Sequence, residues 1–189
     1  MGINNNLKVQ TVTDDEESNI SSNKTNETGQ VITIDNKIIY ESLETLLRFL
    51  AVDQTNTIKN TGKNKANESV GICNKMKMLD TLYKDVLELS EKDGSLNWEK
   101  KGLGSSIEAL RKEGFIIPAK KGVLPREERD ALLRSLTQQR DDQSSKVLQL
   151  QNELYRCNML HDDTYRNIIG HLNSLKESWS KMCRGVSSN

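Results

Sequence analysis

The stretch REERDALLRSLTQQRDDQSSKVLQLQNELYRCNMLHDDTYRNIIGHLNSLKESWSKM, residues 126–182, decides the fold. It holds no Pro, and its only Gly is Gly170. It opens on Leu124-Pro125-Arg126-Glu127-Glu128, which places Pro and acidic residues where the first turn of a helix accepts them. Apolar or small residues then recur at steps of three and four: Leu133, Leu136, Val147, Leu150, Leu154, Cys157, Ile168, Leu172, Leu175, Trp179 and Met182. This is the seam of a helix that packs lengthwise on another helix. Arg140, Gln143, His161 and Thr164 interrupt the seam with polar groups, which weaken a core and fix register and partner. Two consecutive steps of four, Thr164 to Ile168 to Leu172, form a stutter that locally unwinds a supercoil. The spacing predicts one long C-terminal helical arm over 126–184.

Working back toward the start, a second apolar stripe should face this seam. Asp35-Asn36 is a plausible cap for an amphipathic helix from Ile38 to about Ile58, with Ile39, Leu43, Leu46, Leu47 and Leu50 on one face, widened by Phe49 and Val52. The polar tract Lys59-Asn60-Thr61-Gly62-Lys63-Asn64-Lys65 reads as a loop or as a long exposed helix. Helical spacing returns through Ile72, Met76, Leu79, Leu82, Tyr83, Val86 and Leu89. The Met76 and Met78 pair suits gap-filling in a core. Residues 36–92 therefore form a first helical arm. Residues 93–125 form a head insert. Within it Ser105 or Ser106 caps a short helix over Ile107–Lys112, Gly114 ends it, and Phe115-Ile116-Ile117-Pro118 runs extended into the core. Trp98 is the candidate anchor of this head to the bundle.

Composition supports a slender all-α architecture. Hydrophobic residues make up 34% and aromatic ones 4%, too little for a large globular core but enough for a helical hairpin. Charged residues at 29% suit wide polar helix faces. The 27 basic and 27 acidic side chains cancel, so no nucleic acid or anionic membrane is implied as a partner. No apolar run approaches the roughly 20 residues that a membrane span needs. Residues 1–35 are rich in Asn, Ser, Thr, Asp and Glu, including Asp14-Asp15-Glu16-Glu17-Ser18. They are read as a disordered tail and a possible export signal. The expected fold is thus a long antiparallel, coiled-coil-like helical hairpin with a small irregular head and a disordered N-terminus.

No catalytic constellation emerges, and the chain is expected not to be an enzyme. Gly102-Leu103-Gly104 precedes a short helix, but neither a completed dinucleotide fingerprint nor a phosphate-binding Lys follows. His161 and His171 stand ten apart, too far for a compact zinc motif. Cys73, Cys157 and Cys183 contain no paired spacing, so neither a zinc knuckle nor a disulfide framework is expected. Cys183 is a candidate for cross-linking copies after oxidation. No cofactor and no metal are expected.

The layout resembles the hydrophilic translocators of bacterial type III secretion systems, the EspA-like and SseB-like filament proteins. The likeness covers about residues 38–182. It is carried by Ala66-Asn67-Glu68-Ser69 through Lys75-Met76 to Leu87, by Ile107-Glu108-Ala109-Leu110-Arg111-Lys112-Glu113-Gly114-Phe115-Ile116-Ile117, and by Ala131-Leu132-Leu133-Arg134-Ser135-Leu136-Thr137 through Leu175 and Trp179. The resemblance implies a secreted structural subunit that leaves through the needle and polymerises on it as a sheath helping deliver effectors and translocators to host cells. It implies an extracellular place on a cell-surface appendage. The implied partners are other copies of the chain, a secretion chaperone, and the needle and translocator proteins. A needle-tip protein of the same system and an intracellular coiled-coil adaptor or chaperone are the alternatives. On this reading the assembly seam comprises Leu43, Leu46, Leu50, Met76, Leu79, Tyr83, Val86, Leu133, Leu136, Val147, Leu150, Leu154, Ile168, Leu172, Leu175 and Trp179.

Overall fold

The computed structural model describes residues 35–51 and 60–187. The fold is all-α, as the spacing predicts. Its elements are α1 (Asp35–Ala51), α2 (Asn60–Leu89), β1 (Leu96–Asn97), α3 (Leu103–Lys112), β2 (Val123–Leu124), α4 (Arg126–Arg156) and α5 (Asp162–Ser187). Residues 1–34 of the expected 1–35 tail and the end of the first helix beyond Ala51 lie outside the described residues, as does the side chain of Cys183, while Asp35 already belongs to α1.

The C-terminal arm corrects the expectation. The seam of 126–184 belongs to two helices, not one, and a turn at 157–161 folds α5 back along α4. Three backbone bonds close that turn: Cys157 N–H to Glu153 O at 3.2 Å, Asn158 N–H to Tyr155 O at 3.0 Å, and Met159 N–H to Leu154 O at 2.9 Å. Asn158 takes the left-handed φ of 55°. Together these make a Schellman stop, the arrangement that satisfies the last carbonyls of a helix. Where the sequence showed a stutter after Thr164, the chain has already reversed.

The remaining helices are set by their stripes. On α1 the buried positions are Asn36, Tyr40, Leu43, Leu47 and Leu50, a run of fours and threes, with Ala51 beside the last of them. Phe49 falls off that stripe and is 62% exposed, so it does not widen the core face. Of the two readings of the Lys59–Lys65 tract, the helical one holds from Asn60 onward. Asn36 Nδ2 donates to Asp80 Oδ1 at 3.1 Å, and the Tyr40 hydroxyl donates to Met76 O at 3.3 Å, so α1 runs antiparallel to α2. Lys65 with Glu153, and Gln151 Nε2 with Ser69 Oγ at 3.0 Å, set α4 antiparallel to α2. Tyr165 with Asn152, and Trp179 with Arg140, set α5 antiparallel to α4. Since α1 also lies against α5, the four close into an up-down-up-down bundle with the order α1, α2, α4, α5 around the ring.

The bundle has two storeys. In the lower one, α1, α2, α4 and α5 enclose Tyr40, Leu43, Leu47, Met76, Val147, Leu154, Ile168, Leu172 and Leu175. In the upper one α3 and the head help cover α2, and Leu103, Ile107, Leu110, Phe115 and Ile117 meet Leu79, Leu82, Val86, Leu132, Leu133 and Leu136. Trp98 packs against this cluster, as proposed for an anchor. The head enters and leaves through the antiparallel pairing Leu96 with Leu124 and Asn97 with Val123.

The short helix of the head starts earlier than expected. Gly102, at φ 108°, is its first cap, so Ser105 and Ser106 lie within the helix and cap nothing. Gly114 ends it as predicted, at φ 90°, with Phe115 N–H bonded to Leu110 O at 3.1 Å. Phe115 and Ile117 then point inward while Ile116 is 78% exposed. The Gln139 side-chain amide clamps that extended segment: its Oε1 accepts from Ile116 N–H at 2.8 Å and its Nε2 donates to Ile116 O at 3.0 Å.

Candidate assembly interface

The residues expected to form an assembly seam are found together, but against one another within one chain. Leu43, Leu50, Met76, Leu79, Tyr83, Val86, Leu133, Leu136, Val147, Leu154, Ile168, Leu172, Leu175 and Trp179 are all buried in the two core clusters. Leu46 and Leu150 are half-buried at the edge of the lower cluster. The physical reason is the turn at 157–161, which supplies the C-terminal half of the seam as a partner for its own N-terminal half. In this state the buried seam residues are already covered within the chain, and only Leu46 and Leu150 keep part of their surface open.

Polar seam positions have definite places. Arg140, 1% exposed, lies with its guanidinium carbon 4.9 Å from the centre of the Trp179 ring and pairs with Asp141 at 2.9 Å. The indole face thus partners a buried cation, which would otherwise be costly to remove from water. Trp179 also meets Tyr83 at 4.6 Å between ring centres, tilted by 51°. Gln151 and Ser69 form a second buried polar contact, and the Ser69 hydroxyl donates onward to Lys65 O at 3.0 Å. Burial, followed by the nearby Asp80 carboxylate, pushes the Tyr40 phenol well above its ordinary value. Such contacts select one alignment of the helices, because a slip by one turn would leave these groups without their partners. His161 is exposed at the turn and Thr164 is half-buried.

The outer surface carries apolar residues, among them Phe49 and Ile116, which the sequence reading assigns to the core. Ile38 (58% exposed) and Phe49 lie on the outer side of α1, three turns apart. Beside Ile38 an open groove of about 490 Å³ runs between α1 and α5, lined by Ile38, Glu41, Ser42, Thr45, Leu46, Asn167 and His171. Partial burial lowers the pKa of the His171 imidazole. At the turn, Tyr155 and Tyr165 stack at 4.5 Å between ring centres. Acceptance of a hydrogen bond by Asp162 holds the Tyr155 phenol above its ordinary value. On the head, Ile116 and Val123 (65%) face outward. The signal for these positions was available: each is a large apolar residue that falls out of its element's 3.6 or 2.0 period.

Among the described residues no cluster of three or more His, Cys, Asp or Glu is placed to hold a metal ion. Among the same residues no helix is long and apolar enough to cross a membrane. No family model, curated protein or solved structure matches the chain.

Proposed function

We propose that the chain is a secreted structural subunit of a bacterial type III secretion apparatus, which assembles with copies of itself on the needle and helps deliver effectors and translocators to host cells. The observation that carries this reading is the layout. A polar N-terminal stretch precedes two helices, a small head with a short helix, and a C-terminal helical run. The resemblance implies that order of parts, with the difference that its one long C-terminal helix is here the pair α4 and α5. The bundle's slenderness suits it to export, since its helices form from local contacts and the chain must unfold to pass a narrow channel. A secretion chaperone would substitute helices for those the exported chain cannot yet pair.

A second reading has one observation in its favour. The seams close within one chain, so the folded subunit can stand alone as a discrete rod, as a needle-tip protein or an adaptor requires. The two readings differ in what purified protein does. Negative-stain electron microscopy of the full chain should show fibres if it is a filament subunit, and discrete particles if it is a tip protein or adaptor. Secretion then separates the tip protein from the adaptor. In cells carrying an active apparatus, the chain should reach the medium, and deletion of residues 1–34 should retain it inside. A chain that stays inside with its N-terminal residues intact overturns the proposal.

A further inference from the structure

At the turn between α4 and α5, local sequence preference and observed structure point in different directions. Residues 157–161, Cys-Asn-Met-Leu-His, contain neither Gly nor Pro. The helical steps Leu150, Leu154, Cys157, His161, Thr164, Ile168 pass through the turn as fours and threes. The chain uses the same kind of stop twice. At the end of α3 the left-handed residue is Gly114, which resists being drawn into a helix. At the end of α4 it is Asn158, which carries a Cβ and has ordinary helix propensity, followed by Met159 and Leu160, both good helix formers. The α3 stop is fixed by its residue. The α4 stop depends on α5 docking.

Toward α1 the α5 helix borders the open groove, whose walls mix polar Ser42, Thr45 and Asn167 with apolar Ile38 and Leu46, beside a shared core of Leu43, Leu47, Ile168 and Leu172. Toward α4 and the core, α5 presents Ile168, Leu172, Leu175, Trp179 and Met182. A second copy offers this face the same site. We propose that two copies of the chain exchange α5: the 157–161 turn straightens, α4 and α5 fuse into one helix over 126–187, and each α5 docks into the bundle of the other copy. The core contacts of α5 from Ile168 onward are then kept, between chains instead of within one, while those of Met159 and Leu160 in the turn are remade in the straight helix. The new element is the hinge helix, in which Cys157 and His161, exposed in the single chain, take up the seam positions that their spacing gives them. The inference rests on the turn and the seam alone, so it stands or falls apart from any role in secretion.

Two substitutions test it in opposite directions. Asn158→Ala removes a residue that tolerates the left-handed conformation and favours the straight helix. The change is worth about tenfold per turn, and with two turns released per dimer about a hundredfold in the dimerisation constant. Asp162→Pro occupies the first position of α5, where Pro is accepted, and it forbids a helix running through from α4. Full-length wild type, N158A and D162P are refolded at high concentration and sized by light scattering, with circular dichroism to verify helix content. The expected result is a dimer for wild type that persists on dilution until the chain is unfolded, a larger dimer fraction for N158A, and a helical monomer for D162P. A helical D162P that dimerises like wild type overturns the proposal. So does a wild type and N158A that both remain monomeric.

Discussion

Replacing Trp179 by Ala should bring the bundle close to unfolding. Trp179 is fully buried, touches Tyr83 and the Arg140 guanidinium, and belongs to the upper core cluster through which α5 holds to α2 and α4. Truncating a buried Trp to Ala costs about 3–5 kcal/mol in lost transfer energy and cavity. The tilted pairing with Tyr83 adds about 0.5–1.5 kcal/mol beyond burial. The desolvated cation contact contributes on the order of 2 kcal/mol, in part because its loss leaves Arg140 facing a void. These terms overlap, and a total of about 4–6 kcal/mol is a large part of the roughly 5–15 kcal/mol that holds a domain folded. Trp179→Phe keeps a ring against Tyr83 and should cost much less. Urea unfolding followed by far-ultraviolet circular dichroism measures the difference, and Trp98 remains as a fluorescent reporter of the head. A Trp179→Ala loss below about 1 kcal/mol with an unchanged denaturant slope would mean that the indole is not sealed between α2, α4 and α5, and the packing argument would fail.

Three further outcomes follow from particular contacts. Gln139→Ala should free the Ile116 segment at a cost of about 1–2 kcal/mol, and Gln139→Glu should cost as much because a carboxylate cannot donate to Ile116 O; amide exchange at Ile116 should speed up in both, with the lower core unaffected. Burial pushes the Cys73 thiol up to about 12, so iodoacetamide at neutral pH should label exposed Cys157 while Cys73 stays intact until denaturant is added, and mass spectrometry of the peptides reads this directly. The His171 pKa is lowered in the folded chain, so the unfolded chain binds its proton first; its contribution is intact above the ordinary imidazole range and is lost as pH falls through it. Denaturant midpoints across mildly acidic pH should therefore fall less steeply for His171→Asn than for wild type.

The legible parts of the fold were those that repeat. The all-α class, the buried stripes of α1, α2 and α4 and the Gly114 stop all follow from 3.6-residue spacing and from the one residue type that enters the left-handed region freely. The break at 157–161 was hidden for the complementary reason. Asn158 is a weak stop signal, and the apolar steps continue through it, so local chemistry favoured a continuous helix that packing of α5 onto the bundle overrode. Periodicity also gives the face of a helix without the identity of what covers it. Leu136, Leu172 and Trp179 are buried, yet nothing in their spacing distinguishes a neighbouring copy from the same chain folded back. Likewise Ser105 and Ser106 looked like caps because they precede an apolar run, whereas Gly102 and the buried Leu103 begin the helix sooner.

The directions of the four long helices carry a practical corollary. Asp35 opens α1 and Ser187 closes α5, and both helices point these ends toward the pole that bears the head. The opposite pole holds the Asn158 reversal. A tag or fluorescent domain joined directly to Asp35 or to Ser187 would therefore crowd the β1–β2 gateway and the Ile116 ridge. A label meant to leave that region open belongs instead near Cys157.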